Sequence, residues 1–376
     1  IGTVKLQIVA SPDALPKVYI GGVEQSSKSG LDTVNMSNHA EGVRIVVQHR
    51  KNEALTKEYQ LKINIYDRDP YTHTWTKSAH PAPASATSED IVLSRLVDNG
   101  EAYYYFTRTT SESHLWRASH KEPELWQEVT IPKTLDSPII DIVEQGGRDA
   151  ILCLQESGQY AYYDHANGGD WGQSNALPGR ASYLLGNLYH RGENKLLVAV
   201  KSVDGVHFNS EGGIRVPADF PLEQNARLSF IVEHHPVELL IGGSVADTTA
   251  LVYSTSNGLD WLTPHDAGVV SKIWPSNLPG AMIYEPQDQI ILLVKPAARP
   301  KQAEQPAMRA YVSLNYGAMW QQLTEESILP SLYYEKGQQH QQGLALYRGD
   351  DGRIYLFGGI KDGTPTLWIG QPIRFQ

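Results

Sequence analysis

Apolar and polar residues alternate with a period of two in short runs from the first residues onward, the pattern of strands that bury one face. Over residues 1 to 66 the runs are Val4 to Val9, Lys17 to Ile20, Val43 to His49 and Lys57 to Ile65, with turn signals such as Gly21-Gly22 and Lys51-Asn52 between them. This stretch contains no obvious helix and has the length of a small β-sandwich. The segment Asp67 to Tyr71 breaks the pattern, and Pro81 to Ser88 is a Pro/Ala/Ser stretch without periodicity. A domain boundary is therefore expected near Asp69-Pro70, dividing the chain into residues 1–68 and 69–376.

Beyond the boundary the strands come in sets. Leu228 to Glu233, Val237 to Gly242, Thr249 to Ser254 and Leu259 to Leu262 form one set of four; Ile139 to Glu144, Ala150 to Leu154, Gln159 to Tyr163 and Asp170 to Gly172 form another. The turn Ser254-Thr255-Ser256-Asn257-Gly258-Leu259-Asp260-Trp261 recurs as Ser313-Leu314-Asn315-Tyr316-Gly317-Ala318-Met319-Trp320, with decayed copies at Asp164 to Trp171 and Lys201 to Phe208. Aromatic markers at Trp75, Trp126, Trp171, Phe208, Trp261, Trp320 and Trp368 are 37 to 59 residues apart. That is the spacing of propeller blades. The last interval ends one strand short of a full blade, and the strand at Trp75 has no blade of its own. Pairing the two closes the ring and leaves no open edge. The expected fold is all-β: a six-bladed β-propeller, with seven blades as the alternative, preceded by a small Ig-like β-sandwich. The interval from 172 to 208, with Phe208 in place of Trp, is the irregular blade.

The motif Ser-x-Asn-x-Gly-x-x-Trp at 313 to 320 is similar to the Asp-box of sialidases and other propellers, with Asn for the usual Asp; in the looser 254 copy Ser256 falls at the acidic position. Leu239-Leu240-Ile241-Gly242-Gly243 and Leu356-Phe357-Gly358-Gly359, followed by Val252-Tyr253 and Leu367-Trp368, look like kelch repeats. Both likenesses imply an architecture and neither implies an activity. The layout of the whole chain resembles a group of extracytoplasmic lipoproteins of unknown function from Bacteroides-type bacteria. The residues that carry this are the strand from Lys57-Glu58-Tyr59 to Ile65, the junction from Asp69-Pro70 to Trp75, and the stretch from Trp368-Ile369-Gly370 to Phe375. The resemblance implies export, to the periplasm or the outer-membrane surface of a Gram-negative bacterium, and brings no catalytic residues with it.

Composition narrows the partners. With 42 acidic against 32 basic residues the net charge is −10, which repels a phosphate backbone, and no Lys/Arg block offsets it. Nucleic acid is not an expected partner. Apolar runs such as Ile290 to Val294 are strand length, well under the roughly 18 residues of a membrane span. Residue 1 is Ile within a β-like stretch, so the native N-terminus is expected upstream, with any signal peptide or lipid-attachment Cys. The single Cys153, between Leu152 and Leu154, reads as a core thiol.

Candidate chemistry is sparse. A sialidase needs an Arg triad, a Tyr/Glu pair and an Asp; Ile214-Arg215-Val216-Pro217 lies in mid-chain, where those enzymes do not carry their arginine element, and reads instead as a loop arginine before a proline turn. His234-His235 follows Glu233 at a strand end, and neighbours on a strand point to opposite faces. Asp164, His165 and Asp170 surround a Gly-Gly turn and are expected to cap backbone amides rather than hold a metal. No nucleotide-binding, hydrolase-elbow or metalloprotease motif is present, and no metal or cofactor is expected. In a propeller the loops between second and third strands share a face with the blade-to-blade loops, opposite the Asp-box turns. Thr107 to His114, Gly243 to Asp247, Lys295 to Arg309 and Gly358 to Pro365 fall on that face. The longest loop holds Lys295, Arg299, Lys301 and Arg309, a local positive field in an acidic chain and the candidate ligand-binding residues. The functional expectation is an exported binding or scaffold protein for a glycan or a protein partner; the alternative is a glycoside hydrolase or lyase with two carboxylates at the propeller centre.

Overall fold

Val, Ile, Tyr and Leu in short runs bounded by Gly and Asx turns favour pleated, two-sided burial, and strands dominate the computed structural model of the chain. The structure describes residues 3–4, 13–20, 22–25, 34–35, 43–61, 73–87, 90–135, 138–144, 150–174, 182–190, 193–201, 208–210, 213–216, 220–222, 225–243, 250–263, 280–286, 290–296, 308–323, 343–361 and 364–372. Among these the one helical element is a single 3-10 turn at Ala84–Thr87. No helix among them is long and apolar enough to cross a membrane. The chain divides into two units, Ile1–Pro70 with Phe375–Gln376, and Tyr71–Arg374.

The N-terminal unit contains a four-stranded antiparallel sheet in the order Val23–Gln25, Ala14–Ile20, Val43–His49, Asn52–Leu61, and a short pair Thr3–Val4 with Val34–Asn35. Val18, Ile20 and Val43 supply its buried side chains. The last strand begins earlier than its apolar pattern suggests, at Asn52, because the Lys51-Asn52 turn makes a tight hairpin with His49.

The second unit is a β-propeller. Its described strands form six sheets, most with four antiparallel strands. Their first strands are Leu93–Asp98, Ile139–Glu144, Tyr183–His190, Asn225–Val232, Ala281–Glu285 and Ala345–Arg348. Each touches the next in chain order, and the sixth touches the first. The second strands read as continuous apolar runs because both their faces are covered by neighbouring sheets. Ala102–Arg108 and Ala150–Gln155 are buried at every position. Cys153 lies within the second of these, fully buried, and burial pushes its thiol well above the ordinary range. In the sixth sheet the strand Thr364–Pro372 pairs with His73–Pro81, so that Gly370 sits opposite Trp75.

The third sheet departs from the repeat. Its order is Tyr183–His190, Glu193–Lys201, Gly213–Val216, Phe208–Ser210, and Gly213–Val216 runs parallel to Glu193–Lys201. Phe208 therefore sits on the outermost strand by a different route from the repeat Trp, and Arg215 belongs to the inserted strand rather than to a loop.

The repeat turns show why Gly is needed. In the fifth sheet Ser313 Oγ accepts from the Gly317 amide at 2.8 Å and Asn315 Oδ1 accepts from Met319 N at 2.8 Å. In the fourth sheet Thr255 Oγ1 accepts from Gly258 N at 2.9 Å, and Asn257 Oδ1 accepts from Leu259 N and Asp260 N at 2.8 and 2.9 Å. The acceptor position is thus Asn257 and not Ser256, because this turn is one residue shorter than its counterpart, which inserts Tyr316 at φ 57°. Gly258 and Gly317 have φ of 73° and 92°. A Cβ on Gly258 would collide with Leu197, and one on Gly317 would meet Leu239 at 2.8 Å, each on the second strand of the preceding sheet. The turn glycine thus serves both backbone conformation and sheet-to-sheet packing. Gly317→Ala is expected to cost about 1–3 kcal/mol more than Gly100→Ala, since Gly100 has the same backbone sign but open space around its Cβ. Urea denaturation of the two variants measures the difference; equal losses would show that packing at Gly317 contributes nothing.

An aromatic cluster joins the sixth sheet to the first. Tyr103, Tyr105, Tyr347, Tyr355 and Phe357 are buried there with Trp126 against them. Trp126 meets Phe357 and Tyr347 edge-on at 5.3 and 5.6 Å. The phenols do not end in apolar space: Tyr103 donates to the Arg348 carbonyl at 2.7 Å, Tyr105 to Gly343 at 3.0 Å and Tyr347 to Pro123 at 2.7 Å.

Candidate functional site

The first strands converge on a cavity of about 320 Å³. Its wall is drawn from the first, second, fourth, fifth and sixth sheets, and its polar members include Ser94, Arg95, Asp98, Glu144, Arg227 and Arg348. These positions follow from the repeat. Arg95, Asp141 and Arg227 are each the third residue of their strands, Leu-Ser-Arg, Ile-Ile-Asp and Asn-Ala-Arg, and Asp98 and Glu144 are both the sixth.

The third position carries charge into the protein. Arg95 and Asp141 are 5% and 0% exposed, and Arg95 Nε lies 3.3 Å from Asp141 Oδ1. Arg95 Nη1 also donates to the Asn225 carbonyl at 3.1 Å. One guanidinium thus links the first, second and fourth sheets. Burial pushes Arg95 down to about 10, with Asp141 opposing. Arg227 donates Nη1 to the Leu184 carbonyl at 3.0 Å and Nη2 to Ile142 at 3.1 Å, bridging the third and second sheets. Arg348 pairs with Glu285 at 3.2 Å.

Two glutamates lie near Arg227. Glu144 faces the cavity; burial pushes it up to about 7, with Arg227 opposing. Glu238 is sealed at 1% exposed and accepts from Ser229 Oγ at 2.7 Å. Burial first and the charge of Glu144 second push it up to about 8. Gly186 makes room for it, since a Cβ there would lie 2.6 Å from the Glu238 carboxyl carbon. Both carboxyls keep their protons to higher pH in the folded chain than in the unfolded one, where Glu titrates near 4.3. The stability they contribute is complete below that value and is lost as pH rises through about 7 and 8. The propeller is expected to be less stable at about pH 9 than at pH 5.5 by on the order of a few kcal/mol, and Glu238→Gln to remove much of that slope. Thermal melts across this range check it; a slope unchanged in Glu238→Gln would contradict the assignment.

At one end of the cavity Tyr103 stacks on His120 with ring centres 4.3 Å apart. His120 Nε2 lies 2.9 Å from Asp98 Oδ1 and Nδ1 3.3 Å from Asp350 Oδ1.

The residues singled out from sequence lie elsewhere. Lys295 and Arg309 face each other across paired strands at the base of their loop, and the Arg309 side chain is exposed. Arg299 and Lys301 lie outside the described residues. His234 is not on a strand: Glu233 and His234, at φ 47° and 71°, form the two-residue turn of a hairpin, and His235 begins the return strand. Asp164 caps its own turn, accepting from Asn167 N at 3.2 Å. Among the described residues no cluster of three or more His, Cys, Asp or Glu is placed to hold a metal. Arg95, Asp141, Glu144, Asn225, Arg227 and Glu238 were not singled out. The available signal was the charged residue recurring at the third position of three inner strands.

A family described as the DUF6242 beta propeller domain matches residues 69–375. No curated protein sequence matches the chain. Among solved structures, a Trypanosoma rangeli sialidase in complex with 2,3-difluorosialic acid aligns over 80% of this chain and 59% of its own, with 9% identity and a TM-score of 0.40. The chain thus spans about three fifths of the length of that sialidase. A protein of unknown function from Dyadobacter fermentans aligns over 79% of this chain and 98% of its own, with 11% identity and a TM-score of 0.41. The SapL1 lectin in complex with alpha methyl fucoside aligns over 73% and 90%, with 13% identity and a TM-score of 0.43.

Proposed function

We propose, for a chain that belongs to the DUF6242 β-propeller family, that it is an exported binding protein whose glycan ligand enters the cavity on the propeller axis. The observation that carries this reading is the wall itself, where Ser94, Arg95, Asp98 and Tyr103 of the first sheet, Glu144 of the second, Arg227 of the fourth and Arg348 of the sixth converge on one space of ligand-fragment size. In this reading the propeller has six blades, with the Trp75 strand completing the last. The N-terminal unit, as an Ig-like sandwich, holds the propeller away from a cell surface, and a lipid anchor upstream of residue 1 attaches it. In the same reading Lys295, Arg299, Lys301 and Arg309 supply further contacts to the ligand. Binding at the centre uses residues that the repeat already aims inward, so no separate loop has to build the site.

A second reading, a glycoside hydrolase, is favoured by one observation: Glu144 and Asp98 both line the cavity, and Glu144 holds its proton to about 7, as a general acid requires. The two readings separate in one experiment. The full chain is screened on glycan and polysaccharide arrays while released sugar is assayed in the same wells, beside Glu144→Gln. Binding without release supports the binding protein. Release that disappears in Glu144→Gln supports the hydrolase, and silence in both assays points to a protein partner.

A further inference from the structure

The three arginines in the cavity wall differ in how their charge is met. Arg95 lies 3.3 Å from Asp141, and Arg348 lies 3.2 Å from Glu285. Arg227, partly exposed in the same wall, has no carboxylate partner among the described residues. Its Nη1 and Nη2 each donate to one backbone carbonyl, of Leu184 and Ile142, which uses only part of the guanidinium fork. More positive charge stands nearby. Burial first, then the charges of Arg227 and Arg108, push Arg95 down, with Asp141 opposing. The carboxyl groups of the wall do not offset Arg227 at or below neutral pH. Asp98 Oδ1 accepts from the Gly100 amide at 2.8 Å and lies 2.9 Å from His120 Nε2. Burial holds the proton on Glu144 up to about 7, and on Glu238, behind the wall, up to about 8. A guanidinium placed this way is the complement of a carboxylate or sulfate, which its fork meets with two parallel charge-assisted hydrogen bonds.

We infer that the cavity takes the anionic group of an acidic glycan, a carboxylate or sulfate on a sugar ring, with Arg227 as its counter-ion and Glu144 as the internal carboxylate that competes for it. This rests on the reading of the axial cavity as the ligand site. Among the described residues Glu144 is faced by Arg227 and Glu238 from the fourth sheet and by Asp98 from the first. A guest anion, like Asp98, adds negative charge beside Glu144 and holds its proton on. Once ionised, Glu144 is itself the counter-charge of Arg227. Affinity for the anion is therefore full below about pH 7 and falls as pH rises through that value.

The test titrates the full chain by calorimetry with probes in matched pairs: sialyllactose with lactose, trigalacturonate with galactotriose, and a sulfated galacto-oligosaccharide with its desulfated form. The expected result is that the acidic member of a pair binds about tenfold or more tighter than its neutral counterpart at about pH 6. Its Kd then weakens about fivefold or more by about pH 8. Which pair responds tells carboxylate from sulfate. Arg227→Gln is expected to remove the preference for the acidic member, and Glu144→Gln to flatten the pH profile, which decides the matter should Arg227→Gln fail to fold. Ser94→Trp abolishes binding by filling the cavity, and Leu96→Trp repeats that test should Ser94→Trp fail to fold. Equal binding of both members, a folded Arg227→Gln that keeps the preference, or a Kd flat across this pH range would overturn the anionic ligand, while loss of binding in the Trp variant would still leave the cavity as the site. Binding retained in a folded Trp variant, or no binding of any probe, would overturn the cavity reading and the inference with it.

Discussion

Asp141→Ala is expected to destabilise the propeller by about 3–5 kcal/mol, because it leaves the Arg95 guanidinium buried without a counter-charge. The pair is 5% and 0% exposed, so little water reaches the charge left behind in the folded state. Burial already depresses Arg95 to about 10, and Asp141 is the largest influence opposing that. The double variant Arg95→Met with Asp141→Leu is expected to recover most of the loss, since removing both charges removes both desolvation costs. Urea denaturation of the single and double variants measures this. A single variant within about 1 kcal/mol of the wild type would show that the pair is hydrated.

Trp320→Ala is expected to cost about 3–5 kcal/mol, the range for truncating a buried aromatic. Trp320 is 6% exposed and packs among Leu239, Ile241, Met282, Ile291 and Tyr311, which belong to the fourth and fifth sheets. Its Nε1 donates to the Gly317 carbonyl at 3.1 Å, so the indole also fixes the turn that precedes it. Trp320 is absent from the cavity wall. The folded fraction of the variant should therefore bind ligand like the wild type, and a stable variant that loses ligand would overturn this structural role.

The all-β propeller was legible because its most informative residues are local. Gly317, Trp320 and the Ser/Asn acceptors between them solve a turn within eight residues, and the same solution recurs at Thr255 to Trp261. Details failed where one residue was inserted or a strand was rerouted. The shorter fourth-sheet turn moves the acceptor from Ser256 to Asn257, and the parallel strand Gly213–Val216 is inserted between Glu193–Lys201 and the edge strand that carries Phe208. The candidate site was illegible for a different reason. Within Leu93 to Asp98 the sequence Leu-Ser-Arg-Leu-Val-Asp has no clean apolar alternation, yet the strand alternates in burial and Arg95 shares the buried parity with Leu93 and Val97. Its partners are Asp141 and the Asn225 carbonyl, on other sheets, and only ring closure brings them together. Lys295, Arg299, Lys301 and Arg309 stand out in the sequence because their charges lie close together along the chain, whereas the charges of the inner strands are 46 to 86 residues apart, at Arg95, Asp141 and Arg227.

In the proposed function the ligand binds on the propeller axis. The most direct measurement is a crystal structure of the full chain with an oligosaccharide taken from the binding screen. A sugar ring is expected in the cavity, in contact with Ser94, Tyr103 and Arg227 of its wall. A sugar bound only at the repeat turns, at the outer strands or on the N-terminal unit, with the axial cavity holding water alone, would contradict it.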